Sequence, residues 1–146
     1  MDADHLDVGY HGLISDVVNR YFDDFWPRAL HVAAELKAGN HTETYTYTTF
    51  SWLVSMFLSC PPASGLHCPN ATYRADVLDA IAAGTLTWNA FPFNSELGAY
   101  DKSMVQFGIQ NTHQLDDMLN VSRKARQHRH YAPCDVFYVG PMLTGC

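Results

Sequence analysis

Between residues 13 and 37, apolar side chains recur mainly three and four positions apart. Ile14, Val17, Val18, Tyr21, Phe22, Phe25, Leu30, Ala33, Ala34 and Leu36 share one broad face, and Asp16, Arg20, Asp23, Asp24, Arg28 and Glu35 supply much of the other. That spacing predicts a long helix packed on a core, in which the aromatic stripe, Trp26 included, is packing. Pro27 removes one backbone donor and predicts a kink or a division, and Gly39-Asn40 predicts the stop. The period then falls to two. Residues 45–49 read Tyr-Thr-Tyr-Thr-Thr, an alternation of aromatic and β-branched residues that predicts a strand. Residues 50–58 are apolar around Trp52 and predict a short helix with Ser51 as a candidate cap. Residues 60–70 hold enough proline and glycine to predict a loop. A second helix is predicted over 71–83 through Tyr73, Val77, Leu78 and Ile81, ended by Gly84. Leu86-Thr87-Trp88 predicts a short strand, with residues 91–96 as the loop at its end.

Helices alternating with short strands predict an α/β fold: a parallel sheet or barrel with helices outside. In such folds chemistry gathers at the carboxyl ends of the strands. His5-Leu6-Asp7-Val8-Gly9-Tyr10 precedes the long helix. If it is the end of a strand and the turn after it, His5 and Asp7 project to one side and Gly9 allows a tight exit. An imidazole and a carboxylate so placed can hold a divalent metal. The competing reading, favoured for so short a motif taken alone, is a polar lead-in with Asp7 capping the next helix. Placing His5, Asp7, Asn94 and Glu96 at one sheet edge raises the metal reading.

Composition narrows the classes. At 146 residues, 47% hydrophobic and 13% aromatic, the chain has the size and apolar content of one packed domain. A formal charge of -6 without a long basic face argues against duplex nucleic acid as a partner. The longest apolar runs are too short to span a membrane. Met1-Asp2-Ala3-Asp4 lacks the marks of a secretory signal, which taken at face value says cytoplasm. Against it stand three sequons, at Asn40, Asn70 and Asn120, and four cysteines, at 60, 68, 134 and 146. The simplest pairing is Cys60 with Cys68 and Cys134 with Cys146, in a secretory or extracellular product whose signal is missing from this chain. The cysteine spacing is not that of a zinc ribbon.

Four blocks in order carry a resemblance: His5 to Tyr10, then Asn19-Arg20-Tyr21-Phe22 in the long helix, then Tyr47-Thr48-Thr49 with Trp52, then the run from Ala82 to Glu96. Together they resemble the N-terminal catalytic domain of glycoside hydrolase family 38, the α-mannosidases, and the loop from Trp88 to Glu96 looks closer to an uncharacterised branch of that superfamily. The resemblance covers residues 4–100. It implies a zinc-dependent retaining glycosidase acting on α-linked sugars, with His5 and Asp7 as zinc ligands. The metal in that family orients sugar hydroxyls; one carboxylate attacks the anomeric carbon and a second carboxylic acid protonates the leaving oxygen. Where the family usually has Asp-Glu, this chain reads Asn94-Ser95-Glu96, so Glu96 is the carboxylate assigned to that place, with Trp88 and Asn94 as substrate contacts. A cap role for Glu96 stands beside that assignment.

Other features depart from the family. Only Met1 to Asp4 precede the H-x-D motif, where the family has an apolar strand, and the region that would carry the remaining zinc histidine is absent. His113 lies too early to be that residue. Residues 101–146 form a divergent extension with a basic, histidine-rich run, 123–131, read as a solvated helix end or tail. The expected architecture is therefore an incomplete (β/α) barrel, truncated and inactive on its own if the missing parts are needed. An alternative of a different class is a non-catalytic secreted carbohydrate-binding or interaction domain, stabilised by disulfides, with Trp88, Phe91 and Phe93 as an aromatic surface. Oligomeric state is not legible.

Overall fold

A helix containing proline must dispose of the carbonyls that the proline cannot serve, and the first long helix shows how. α1 (Ile14–Arg20) runs into a π-helical turn (Tyr21–Phe25) and on into α2 (Trp26–Ala38). The Trp26 N–H bonds the carbonyl of Tyr21, five residues back. Pro27 has no N–H, and in a regular α-helix its ring would press on the carbonyl four residues earlier. The wider π turn just upstream takes up that conflict, so the interruption expected at Pro27 is one expanded turn and helical structure continues to Ala38. The Phe22 carbonyl would look five residues on, to Pro27, and instead accepts from the Tyr73 hydroxyl at 2.7 Å.

The computed structural model describes residues 2–3, 6, 8–9, 12–39, 42–93 and 97–121. They belong to two units, one drawn from residues 1–49 and 53–88, the other from residues 50–52 and from 89 onward.

The first unit holds a three-stranded parallel sheet of β1 (Asp2–Ala3), β2 (Tyr47–Thr49) and β3 (Leu86–Trp88) in the order β1-β2-β3. Asp2 faces Tyr47, which faces Leu86; Ala3, Thr48 and Thr87 form the next row, and Thr49 pairs with Trp88. The expected strand over 45–49 is thus trimmed to its last three residues. All residues of β2 and β3 are buried, so both faces are covered, as parallel strands between helices require. β1 and β2 are joined through the α1–α2 helix, and β2 and β3 through α3 (Ser51–Ser59) and α4 (Ala71–Ala83). The α/β expectation holds at this level.

α4 has the bounds its pattern predicts. Asn70 caps it by accepting the Tyr73 N–H at 2.8 Å. Gly84, at φ 74°, closes it, and the Thr85 N–H returns to the Ala80 carbonyl at 2.9 Å. The core between α1–α2, α3 and α4 is a run of rings: Phe22, Trp26 and Phe57 lie 5.2 to 5.4 Å apart pairwise, and Phe57 meets Tyr73 edge-on at 5.3 Å. The sequence expectation that this stripe is packing is what is seen.

In the second unit, Ser51 is the first helical residue of α3 and its hydroxyl pairs with that of Thr112 at 2.7 Å, buried. The Trp52 N–H donates to the Pro92 carbonyl at 3.1 Å. A short 3-10 turn (Leu97–Ala99) leads to α5 (Lys102–Met118), a helix the apolar pattern did not announce. Its buried positions are Gly108, Thr112, Leu115 and Asp116: one helix face by spacing, but with a single large apolar residue. Among the described residues no helix is long and apolar enough to cross a membrane.

Candidate functional site

Because all three strands run parallel, their carboxyl ends lie on one edge of the sheet. The chain leaves β1 at that edge into the H-x-D segment. Leu6, the middle residue of the motif, is buried, the Val8 N–H turns back to the Leu6 carbonyl at 3.0 Å, and Gly9 sits at φ 79°. The tight exit expected at Gly9 is therefore present, and a short strand does lead into the motif. His5 and Asp7 themselves lie outside the described residues, as do Asn94 and Glu96. Cys134, Cys146, Asn40 and the basic run 123–131 are outside them too.

Trp88 ends β3 at the same edge, but its side chain is 1% exposed. It fills the core, because a strand covered on both faces buries whatever it carries. Phe93 is 41% exposed and meets Phe91 edge-on at 5.7 Å, and Phe91 stacks on Tyr100 at 6.1 Å. Two buried hydroxyls at the end of β2, those of Thr48 and Thr49, have no hydrogen-bond partner among the described residues. Leaving such a group unsatisfied costs about 1–3 kcal/mol each.

A second cluster was not singled out from the sequence. Cys60 and Cys68 are joined in a disulfide, as the simplest pairing expects, closing a loop over residues 60–68. Asn19, 8% exposed on α1, holds that loop: its amide nitrogen donates to the Gly65 carbonyl at 3.0 Å and its amide oxygen accepts the His67 N–H at 2.8 Å. One turn on, Asp23 meets His67 Nδ1 at 2.6 Å, with both side chains more than half exposed. Asn19 and Asp23 are four apart, hence on one face of the helix, and the return of the loop to that face is a long-range contact with no local signal.

Beside this cluster a groove of about 580 Å³ is lined by Asp23, Pro27, Leu30, Asn70, Tyr73 and Asp76, among others. Burial, and then the charge of Asp23, push the Tyr73 phenol well above its ordinary range, so it stays a hydrogen-bond donor to the Phe22 carbonyl. Among the described residues no three His, Cys, Asp or Glu side chains gather as a metal site. The chain matches no family model, no curated protein and no solved structure.

Proposed function

We propose that the chain is part of an α-mannosidase-like, zinc-dependent retaining glycoside hydrolase domain, an incomplete (β/α) barrel that acts on α-linked sugars. The observation that carries the reading is the start of the fold. β1 is the edge strand of a parallel sheet, and it leads directly into a buried Leu6 and a turn at Gly9. A buried residue flanked by His5 and Asp7 suits a motif that must send its imidazole and carboxylate away from the core.

The donor set fits zinc in kind, since an imidazole and a carboxylate are both ordinary ligands, but two ligands fall short of the three or four usual in proteins. His5 and Asp7 would hold the ion, and a further donor must join them. Bound there, zinc would act as a template for sugar hydroxyls. Glu96 is the carboxylate offered for covalent or electrostatic work at the anomeric carbon, and Asn94 a hydrogen-bonding contact beside it. The Thr49 hydroxyl, buried at the carboxyl end of β2, favours a site that is polar when filled.

A second reading keeps the sugar and drops the chemistry: a secreted, non-catalytic carbohydrate-binding module. The Cys60–Cys68 disulfide and the exposed Phe93 favour it. Zinc stoichiometry on the purified chain separates the two. The hydrolase reading expects one tightly bound zinc, lost in a His5→Ala/Asp7→Ala variant that still unfolds cooperatively, followed by turnover of an aryl α-mannoside. Zinc uptake that is absent, or equal in the variant, removes the metal site and leaves the binding module.

A further inference from the structure

Of the three sequons, Asn70-Ala71-Thr72 is the one whose residues are all described, and all three side chains are exposed. The proposed hydrolase makes no use of it. Asn70 lies just ahead of α4 in extended backbone, φ -69° and ψ 169°, two residues after the disulfide at Cys68. Its amide is divided in function. Oδ1 is committed to the Tyr73 N–H as the helix cap, whereas Nδ2 has no partner among the described residues. Asn19 is the contrast: both ends of its amide are bound to the loop 60–68, and no sequon surrounds it.

Glycan attachment occurs at Nδ2 and leaves the amide oxygen in place, so capping and modification do not compete. Asn70 also lines the groove beside Pro27, Leu30 and Tyr73, which is open space for a first sugar to enter without displacing the core. A disulfide forms and persists in the oxidising compartment where N-linked glycans are added, and here the two features sit on one stretch of chain. By comparison, Val121 of the Asn120 sequon is half-buried and its N–H is tied to the Asp116 carbonyl.

We propose that Asn70 is an N-glycan acceptor. The co-reactant is a lipid-linked diphospho-oligosaccharide. Asn70 Nδ2 forms a bond to the anomeric carbon of the first sugar and gives up one proton, the bond from that carbon to the phosphate oxygen breaks, and the lipid diphosphate leaves with that oxygen. The glycan then emerges over the groove and closes it to a macromolecular partner. This inference is independent of zinc or hydrolysis.

The test is site mapping on the full chain directed into the secretory pathway of a eukaryotic host. Treatment with a glycan-releasing amidase, which converts a modified asparagine to aspartate, should convert Asn70 in the secreted protein. Thr72→Ala, which keeps the cap, should abolish that conversion and remove one glycan's shift on a gel. Asn70→Asp, which also keeps a capping oxygen, should lose the same shift and still be secreted with Cys60–Cys68 closed. An Asn70 peptide recovered wholly as asparagine from secreted, disulfide-closed protein overturns the proposal, as does a glycan shift unchanged in Thr72→Ala.

Discussion

The Tyr73 hydroxyl donates to the Phe22 carbonyl at 2.7 Å, linking α4 to the π turn of the first helix. That carbonyl is free because the Trp26 N–H goes to Tyr21 and Pro27 has no N–H to offer. Tyr73→Phe should therefore cost about 1–3 kcal/mol, the price of an acceptor stranded in a partly buried place. In a Pro27→Ala background the new N–H can serve the turn, so the same substitution should cost less, with a coupling of about 0.5–3 kcal/mol between the two sites. Urea unfolding of the four proteins measures this. Equal costs in both backgrounds would mean that Pro27 is not what frees the carbonyl.

The same tyrosine sets an alkaline limit. Its folded pKa lies above the unfolded value of about 10, because burial and the Asp23 charge both disfavour the phenolate. Below pH ~10 both states hold the proton and stability is unaffected. Above it the unfolded chain releases the proton while the folded chain retains it, so stability falls as pH rises toward the folded pKa. Stability followed from pH 9 to 11 by chemical denaturation should decline in the wild type and decline less in Tyr73→Phe. A slope identical in the two proteins would assign the loss to other groups.

What was legible in the sequence is what large apolar residues specify. The stripe through Val18, Phe22 and Trp26, the bounds of α4 with Asn70 before and Gly84 after, and the strand at Leu86 to Trp88 all rest on packing or cap chemistry that a single chain displays. α5 was not legible, because its buried face sets Gly108, Thr112 and Asp116 around a single large apolar residue, Leu115, while Met104 and Phe107 are more than half exposed. Its one readable mark was Asp101, whose side chain caps Met104 N–H at 2.9 Å; hydrogen bonds from Ser103 and then Met104 hold that carboxyl below its ordinary pKa. The π turn was not legible either, since Pro27 announces a conflict without saying which turn absorbs it. Of the candidate site, the turn at Gly9 was readable. The Asn19–Asp23–His67 cluster depended on the disulfide loop returning to α1, a long-range contact that local pattern does not encode.

Gly108 gives a test of how tightly the second unit is packed. A methyl group there would collide with Cε2 and Cζ of the Phe91 ring. In a helix interior Gly→Ala is ordinarily stabilising by about 1 kcal/mol. Here the Phe91 ring, held by Phe93 and Tyr100, has to move first, so Gly108→Ala should be net destabilising by about 1–2 kcal/mol. Combined with Phe91→Ala, which removes the obstructing ring, the substitution should recover its ordinary stabilising sign. If Gly108→Ala stabilises the parent chain, the ring yields freely and the close approach carries no energy.

The loop 60–68 is closed on itself by the disulfide and tied to α1 by the Asn19 amide, and the two should depend on each other. Opening the disulfide with Cys60→Ser/Cys68→Ser should cost about 2–3 kcal/mol on the chain-entropy account for so short a loop. Asn19→Ala should cost about 1–3 kcal/mol, because it strands the Gly65 carbonyl and the His67 N–H together. The exposed Asp23–His67 pair adds little to either, since it is solvated on both sides. With the disulfide gone the loop spends part of its time away from α1, so the Asn19 bonds are already partly lost and their removal should cost less than in the closed loop. Hydrogen exchange at the His67 amide reports the same coupling: it should quicken in each variant, and in the combined variant it should quicken, relative to the wild type, by less than the product of the two single effects. Strictly additive free energies would show instead that the closed ring and the Asn19 contacts hold the loop independently.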